Sequence, residues 1–139
     1  MDIKIRTAEP LEVATPCLVV GIFEKEMASR KLEALSRLLG EEAGSLIDAG
    51  EFSGKARETL LLYLGGKASC RRALLVGLGK REEASPEKLR QGMGTAVALL
   101  KEKRIDSPAV DFASFCHDAA TVRETAAALT EGLILADYR

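Results

Sequence analysis

Six apolar residues in a row, Leu18-Val19-Val20-Gly21-Ile22-Phe23, set the first limit on what this chain can fold into. A strand with one wet face alternates in polarity. An unbroken apolar run of this length needs cover on both faces, as an inner strand of a sheet packed above and below.

The rest of the chain supplies partners and cover for that strand. Ile3 and Ile5 alternate with Lys4 and Arg6, the pattern of an edge strand. Ala28, Leu32, Leu35 and Leu39 recur at helical spacing over about 25–39, Gly40 ends that helix, and a short helix carrying Leu46 and Ile47 follows before Gly50. Leu60–Leu64 and Ala73–Val76 read as two further strands. The six residues Gly65–Cys70 between them are too few for a crossover helix, so the pair should run antiparallel.

A helix then opens at Ser85-Pro86, serine as N-cap and proline in the first turn, with Leu89, Met93, Ala96, Val97 and Leu100 inward and Lys101, Lys103 and Arg104 at its dipole-favoured end. Pro108–Phe112 is a plausible strand. A last helix over about 119–137 sets Val122, Ala126, Leu129, Leu133 and Ala136 on one face, and the capping-box spacing of Thr121 and Glu124 allows a start one turn later. This order predicts one α/β domain with a mixed sheet and helices on both faces.

Composition narrows the function classes. With 139 residues, 47% of them hydrophobic and 29% charged, the chain fits one folded domain with a real core. A net charge of −1 gives no general attraction to nucleic acid or acidic membranes. No apolar run approaches the roughly 20 residues that span a bilayer, and the first six residues do not resemble a signal peptide. Three cysteines, Cys17, Cys70 and Cys116, lack metal-type spacing and suit a reducing cytoplasm.

Four stretches invite chemistry. Gly77-Leu78-Gly79-Lys80 follows a strand, as a phosphate loop would. Glu82 stands where a dinucleotide fingerprint needs its third glycine, and Leu74 and Arg81 stand where a P-loop needs glycine and a hydroxyl. The reading favoured is a sharp turn at Gly77 and Gly79 with Lys80 and Arg81 solvated. Cys116-His117-Asp118 holds the only histidine, but neighbours in an extended segment point apart, so the reading favoured is a loop cysteine and a surface histidine. The pairs Glu41-Glu42 and Glu82-Glu83 flank helix starts and complement the dipole. In Phe52-Ser53-Gly54-Lys55, Gly54 reads as a turn residue with Lys55 exposed, the alternative being an anion-binding loop. Residue by residue, no catalytic, cofactor-binding or metal position emerges.

Phe52-x-Gly54-Lys55-x-x-Glu58, a strand, a hairpin, then Leu74-Leu75-Val76-Gly77-x-Gly79-Lys80 and a helix: this order resembles the N-terminal domain of leucyl aminopeptidases, the cytosol aminopeptidase family. The ending ALTEGLILADYR is similar to the family's last N-domain helix. One departure is Ala56-Arg57, where a glycine often follows the Gly-Lys pair. The resemblance implies a macrodomain-like three-layer α/β sandwich spanning 1–139. It also implies a longer cytoplasmic, hexameric peptidase that removes N-terminal residues from peptides in protein turnover. In that family two divalent metal ions, manganese or zinc, and the catalytic lysine and arginine belong to the following C-terminal domain. Segments such as N-T-D-A-E-G-R that carry them have no match here, so no catalytic residue is carried over. The expected role is then non-catalytic, in assembly or active-site access, with the chain's own C-terminal domain as partner. The competing readings are a free-standing macrodomain-like module for a nucleotide or ADP-ribose, and a DNA-binding accessory domain.

Overall fold

A computed structural model describes residues 9–24, 52–66, 68–117 and 120–138. The strand expected over 1–6 and the helices expected over 25–39 and around Leu46 and Ile47 lie outside the described residues. Four strands form one sheet in the order β2-β3-β1-β4: β1 (Leu18–Ile22), β2 (Thr59–Tyr63), β3 (Arg72–Gly77) and β4 (Ala109–Val110). The six-residue apolar run does become an inner strand. All five residues of β1 are buried, and β1 runs parallel to both neighbours, Val19 level with Leu74 of β3 and Val110 of β4. β2 and β3 pair antiparallel, Leu61 opposite Leu74.

The pleat divides the core in two. Val19, Leu74 and Val76 face one side, where they meet Leu89, Met93, Ala96, Val97 and Leu100 of helix α1 (Pro86–Glu102) and Ala128 and Leu129 of helix α2 (Val122–Tyr138). Leu18, Val20, Ile22, Ala73 and Leu75 face the other, packed with Phe52, Leu62, Leu64 and Cys70. Among the described residues no α-helix contributes to this second cluster.

α1 begins as its sequence predicts. Ser85 is the N-cap, its hydroxyl accepting from the Lys88 N–H at 3.2 Å, with Pro86 in the first turn. α2 starts one turn later than 119, closed by a reciprocal capping box. Glu124 N–H donates to Thr121 Oγ1 at 3.1 Å, and Thr121 N–H donates to Glu124 Oε1 at 3.0 Å.

Two expectations need correction. The strand at Pro108–Phe112 contracts to Ala109–Val110. The Asp111 N–H bonds Val19 O at 2.9 Å, and the chain then curls into a 3₁₀ turn, Phe112–Phe115. From that turn Ser114 Oγ accepts the Gly21 N–H at 2.8 Å, taking over where the ladder stops. The face expected for α2 holds at Leu129 and Leu133, which pack in the core, but not at its start. Val122 and Ala126 point outward, while Thr125, Ala128, Leu129 and Gly132 are buried. Gly132 is the point of closest approach: a Cβ there would lie 2.9 Å from Arg90 O and 3.0 Å from Met93 Cβ of α1. At Gly132 the helices cross too closely for a side chain, while Leu129 and Leu133 pack into the core beside it. Among the described residues no helix is long and apolar enough to cross a membrane.

Candidate functional site

The sheet's richest cluster of motif residues lies at the C-terminal ends of β1 and β3. There the two segments that looked separate in sequence come together. Gly54, at φ +91°, lies against the chain just past the end of β1, its missing Cβ within 2.8 Å of Phe23 O. Its carbonyl accepts the Gly79 N–H at 2.9 Å, and the Arg57 N–H donates to Gly77 O at 3.3 Å. Gly77 needs glycine for a different reason than the turn geometry suggests. Its φ is not positive, but a Cβ would sit 1.9 Å from Lys55 O. Gly79 makes the turn itself, at φ +77°.

Glu58 holds the loop in shape. Its carboxylate oxygen Oε1 accepts from Lys55 N–H at 2.8 Å, Ser53 Oγ at 3.0 Å and Ser53 N–H at 3.1 Å. Partial desolvation opposes ionisation there, but the Ser53 and Lys55 donors, helped by the Lys55 charge, outweigh it and hold the carboxyl below its ordinary range. The Phe-x-Gly-Lys-x-x-Glu spacing therefore has a mechanical meaning. Phe52 anchors in the core, Gly54 passes under the chain just past β1, and Glu58 ties the donors between them.

A phosphate cradle needs backbone N–H groups free to point at the ligand. In this turn they are occupied. Gly77 N–H donates to Glu58 O at 2.8 Å, Leu78 N–H to Ile22 O at 2.9 Å, and Gly79 N–H to Gly54 O. The N-terminus of α1 stands off behind a 3₁₀ turn, Arg81–Glu83, whose Glu82 and Glu83 are exposed. Lys80 is exposed as expected.

Arg81 is half-buried rather than freely solvated, and this is a correction. Its guanidinium lies 4.3 Å from the centre of the Phe23 ring, and Nη1 donates to Cys116 O at 3.3 Å. His117 is not a surface histidine either. Only 6% exposed, it meets the Phe23 ring edge-on with centroids 6.1 Å apart. Neither ring nitrogen has a hydrogen-bond partner among the described residues. Phe23 is thus the hub, with Arg81 stacked on it and the Cys116–His117 segment gathered around it. Sequence pattern missed this because the three residues are distant in the chain. The one signal was the aromatic that ends the apolar run of β1.

Cys116 and His117 are not paired with each other: the Cys116 thiol donates toward Phe112 O at 3.6 Å. Asp118, like Glu41 and Glu42, lies outside the described residues. Burial pushes the Cys17 thiol up to about 11, and raises that of Cys70, so neither is a ready nucleophile. Among the described residues no three of His, Cys, Asp and Glu stand together to hold a metal ion.

Comparison with known proteins gives this geometry its context. A family model described as "Cytosol aminopeptidase family, N-terminal domain" matches residues 19–139. A "Probable cytosol aminopeptidase" of Geobacter sp. (strain M21) is 41% identical over 138 residues, covering 99% of this chain and 27% of its own length. The chain thus spans about a quarter of such curated relatives. Among solved structures, the macrodomain of Mycobacterium tuberculosis DarG superposes with a TM-score of 0.71 at 14% identity, covering 94% of this chain and 88% of that one. The bottromycin maturation enzyme BotP gives 0.65 at 20% identity, covering 91% of this chain and 24% of its own. The fold is macrodomain-like α/β, and the chain belongs to the cytosol aminopeptidase family, as its N-terminal domain.

Proposed function

We propose that residues 1–139 form the non-catalytic N-terminal domain of a longer, cytoplasmic, metal-dependent leucyl aminopeptidase that removes N-terminal residues from peptides. The domain serves assembly of that enzyme, a homo-hexamer, or access to its active site. The observation that carries this reading is that both segments underlying the family resemblance are spent on each other. The Gly54 loop and the Gly77–Gly79 turn exchange their hydrogen bonds internally. In this reading the two metal ions, manganese or zinc, belong with the domain that follows.

The test is peptidase activity on leucine p-nitroanilide with added manganese, zinc or cobalt. The 139-residue chain is expected to give no turnover, and the longer protein to give it. Turnover by the short chain that survives repurification overturns the reading.

A second reading, a free-standing module for a nucleotide or ADP-ribose, draws on the likeness to the DarG macrodomain over most of both chains. Against it stands the spent turn. Lys80 alone offers an exposed charge worth about 0–1 kcal/mol, far below the roughly 8 kcal/mol of micromolar binding. Calorimetric titration with ADP-ribose decides it, micromolar affinity favouring the module. DNA binding has the net charge of −1 against it.

A further inference from the structure

The outward face of α2 does not look like a face made for water. Val122 is 68% and Ile134 50% exposed, two of the large hydrophobic residues most open to solvent. With exposed Ala126 and half-buried Thr130 they stand four residues apart, a row that turns about 120° round the helix over about 18 Å, with exposed Arg123 at its edge. While Arg123 is open to solvent, the two neighbouring carboxylates are engaged elsewhere. Glu124 closes the capping box with Thr121, and Glu131 pairs with Arg90 Nε at 2.8 Å. The outward face of α1 is the contrast: Glu87, Lys88, Gln91, Lys101 and Glu102 are all exposed there. Both helices cover the same side of the sheet, so the difference belongs to α2 and not to the layer.

We infer that the Val122–Ala126–Thr130–Ile134 face of α2 is the surface on which the enzyme's next domain packs. The inference rests on the proposed aminopeptidase reading. Relatives carry almost three quarters of their length outside the matched region, and the matched region is the N-terminal domain. α2 is the last element described, so chain that continues from it emerges beside this face. A tethered partner acts at millimolar effective concentration. A narrow apolar stripe therefore suffices to seat it, where two free molecules would need a larger interface.

The experiment measures maleimide labelling rates at Val122→Cys and Ile134→Cys, resolved by peptide mass mapping, in the 139-residue chain and in the longer protein. Ala98→Cys on the outward side of α1 is the reference. At least tenfold slower labelling of both α2 positions in the longer protein, with Ala98→Cys unchanged, supports the proposal. Equal rates in the two proteins overturn it, as does equal slowing at Ala98→Cys. Slow labelling of the short chain that quickens on dilution assigns the face to a second copy and also overturns it. Peptidase assay of the same samples separates the two claims. An inactive longer protein with a protected face removes the peptidase reading and keeps the docking surface; an active one with an open face does the reverse.

Discussion

Replacing Gly77 by alanine adds one methyl group where backbone already stands. The new Cβ would lie 1.9 Å from Lys55 O, 2.8 Å from Gly54 C and 2.9 Å from Lys55 C. No rotamer relieves a clash between backbone and Cβ, so the Gly54 loop must lift away from β3. That movement strains the Gly79 N–H bond to Gly54 O at 2.9 Å and the Arg57 N–H bond to Gly77 O at 3.3 Å. Two such bonds contribute about 0.5–1.5 kcal/mol each, and forced overpacking costs about 1–3 kcal/mol. Alanine returns only about 0.4–1 kcal/mol by stiffening the unfolded chain. The expected net loss is about 3 kcal/mol, which lowers a urea midpoint by about 1–2 M. Gly94→Ala is the companion measurement. Nothing lies within 4 Å of its new Cβ, in the middle of α1, so it should raise stability by up to about 1 kcal/mol. A Gly77→Ala midpoint at or above that of the unmodified chain, with Gly94→Ala behaving as stated, refutes the close-approach reasoning.

Gly132→Ala should lower the melting temperature, although helix propensity alone offers about 1 kcal/mol in its favour, because the methyl meets Arg90 O at 2.9 Å; a rise contradicts the tight crossing of α1 and α2. Glu58→Gln should destabilise at neutral pH and do so less as pH falls. A folded-state carboxyl held below its ordinary value contributes stability above the unfolded pKa of about 4.3 and loses it as pH drops through the folded one. A stability difference independent of pH between 7 and 3 refutes the capping role. Arg81→Ala should cost about 1–2 kcal/mol through the lost stacking on Phe23 and the lost bond to Cys116 O. It should also speed diethylpyrocarbonate modification of His117; unchanged reactivity means that Arg81 does not seal that segment.

Much of the fold was legible because its signals are local. The apolar run of β1, the short link between β2 and β3, and Ser85 with Pro86 each act within a few residues, and each element formed where its signal lay. The misses come from distant partners. Nothing near Pro108–Phe112 announces that Ser114 will take over the Gly21 N–H and replace strand by 3₁₀ turn. On α2 the inward assignment was right for Leu129 and Leu133 and wrong for Val122 and Ala126, because the first turns direct Thr125 and Ala128 inward and the approach to Arg90 and Met93 is made by Gly132. At the candidate site, the two glycine-containing segments were readable as turns. That they are one structure, and that Arg81 and His117 converge on Phe23, depends on three stretches of chain meeting at the strand ends.

A descendant of this chain that gained an anion site at Gly77–Gly79 would have to surrender the Gly54 brace first. An incoming phosphate competes for N–H groups now given to Glu58 O, Ile22 O and Gly54 O. Releasing the three costs about 3 kcal/mol before any ligand is held, a large share of the 5–15 kcal/mol that keeps a typical domain folded. Intermediates on that route lose structure before they acquire binding. New ligand chemistry on this scaffold is therefore easier to reach at other loops, or after compensating gains elsewhere, than at the turn that looks most like a phosphate loop.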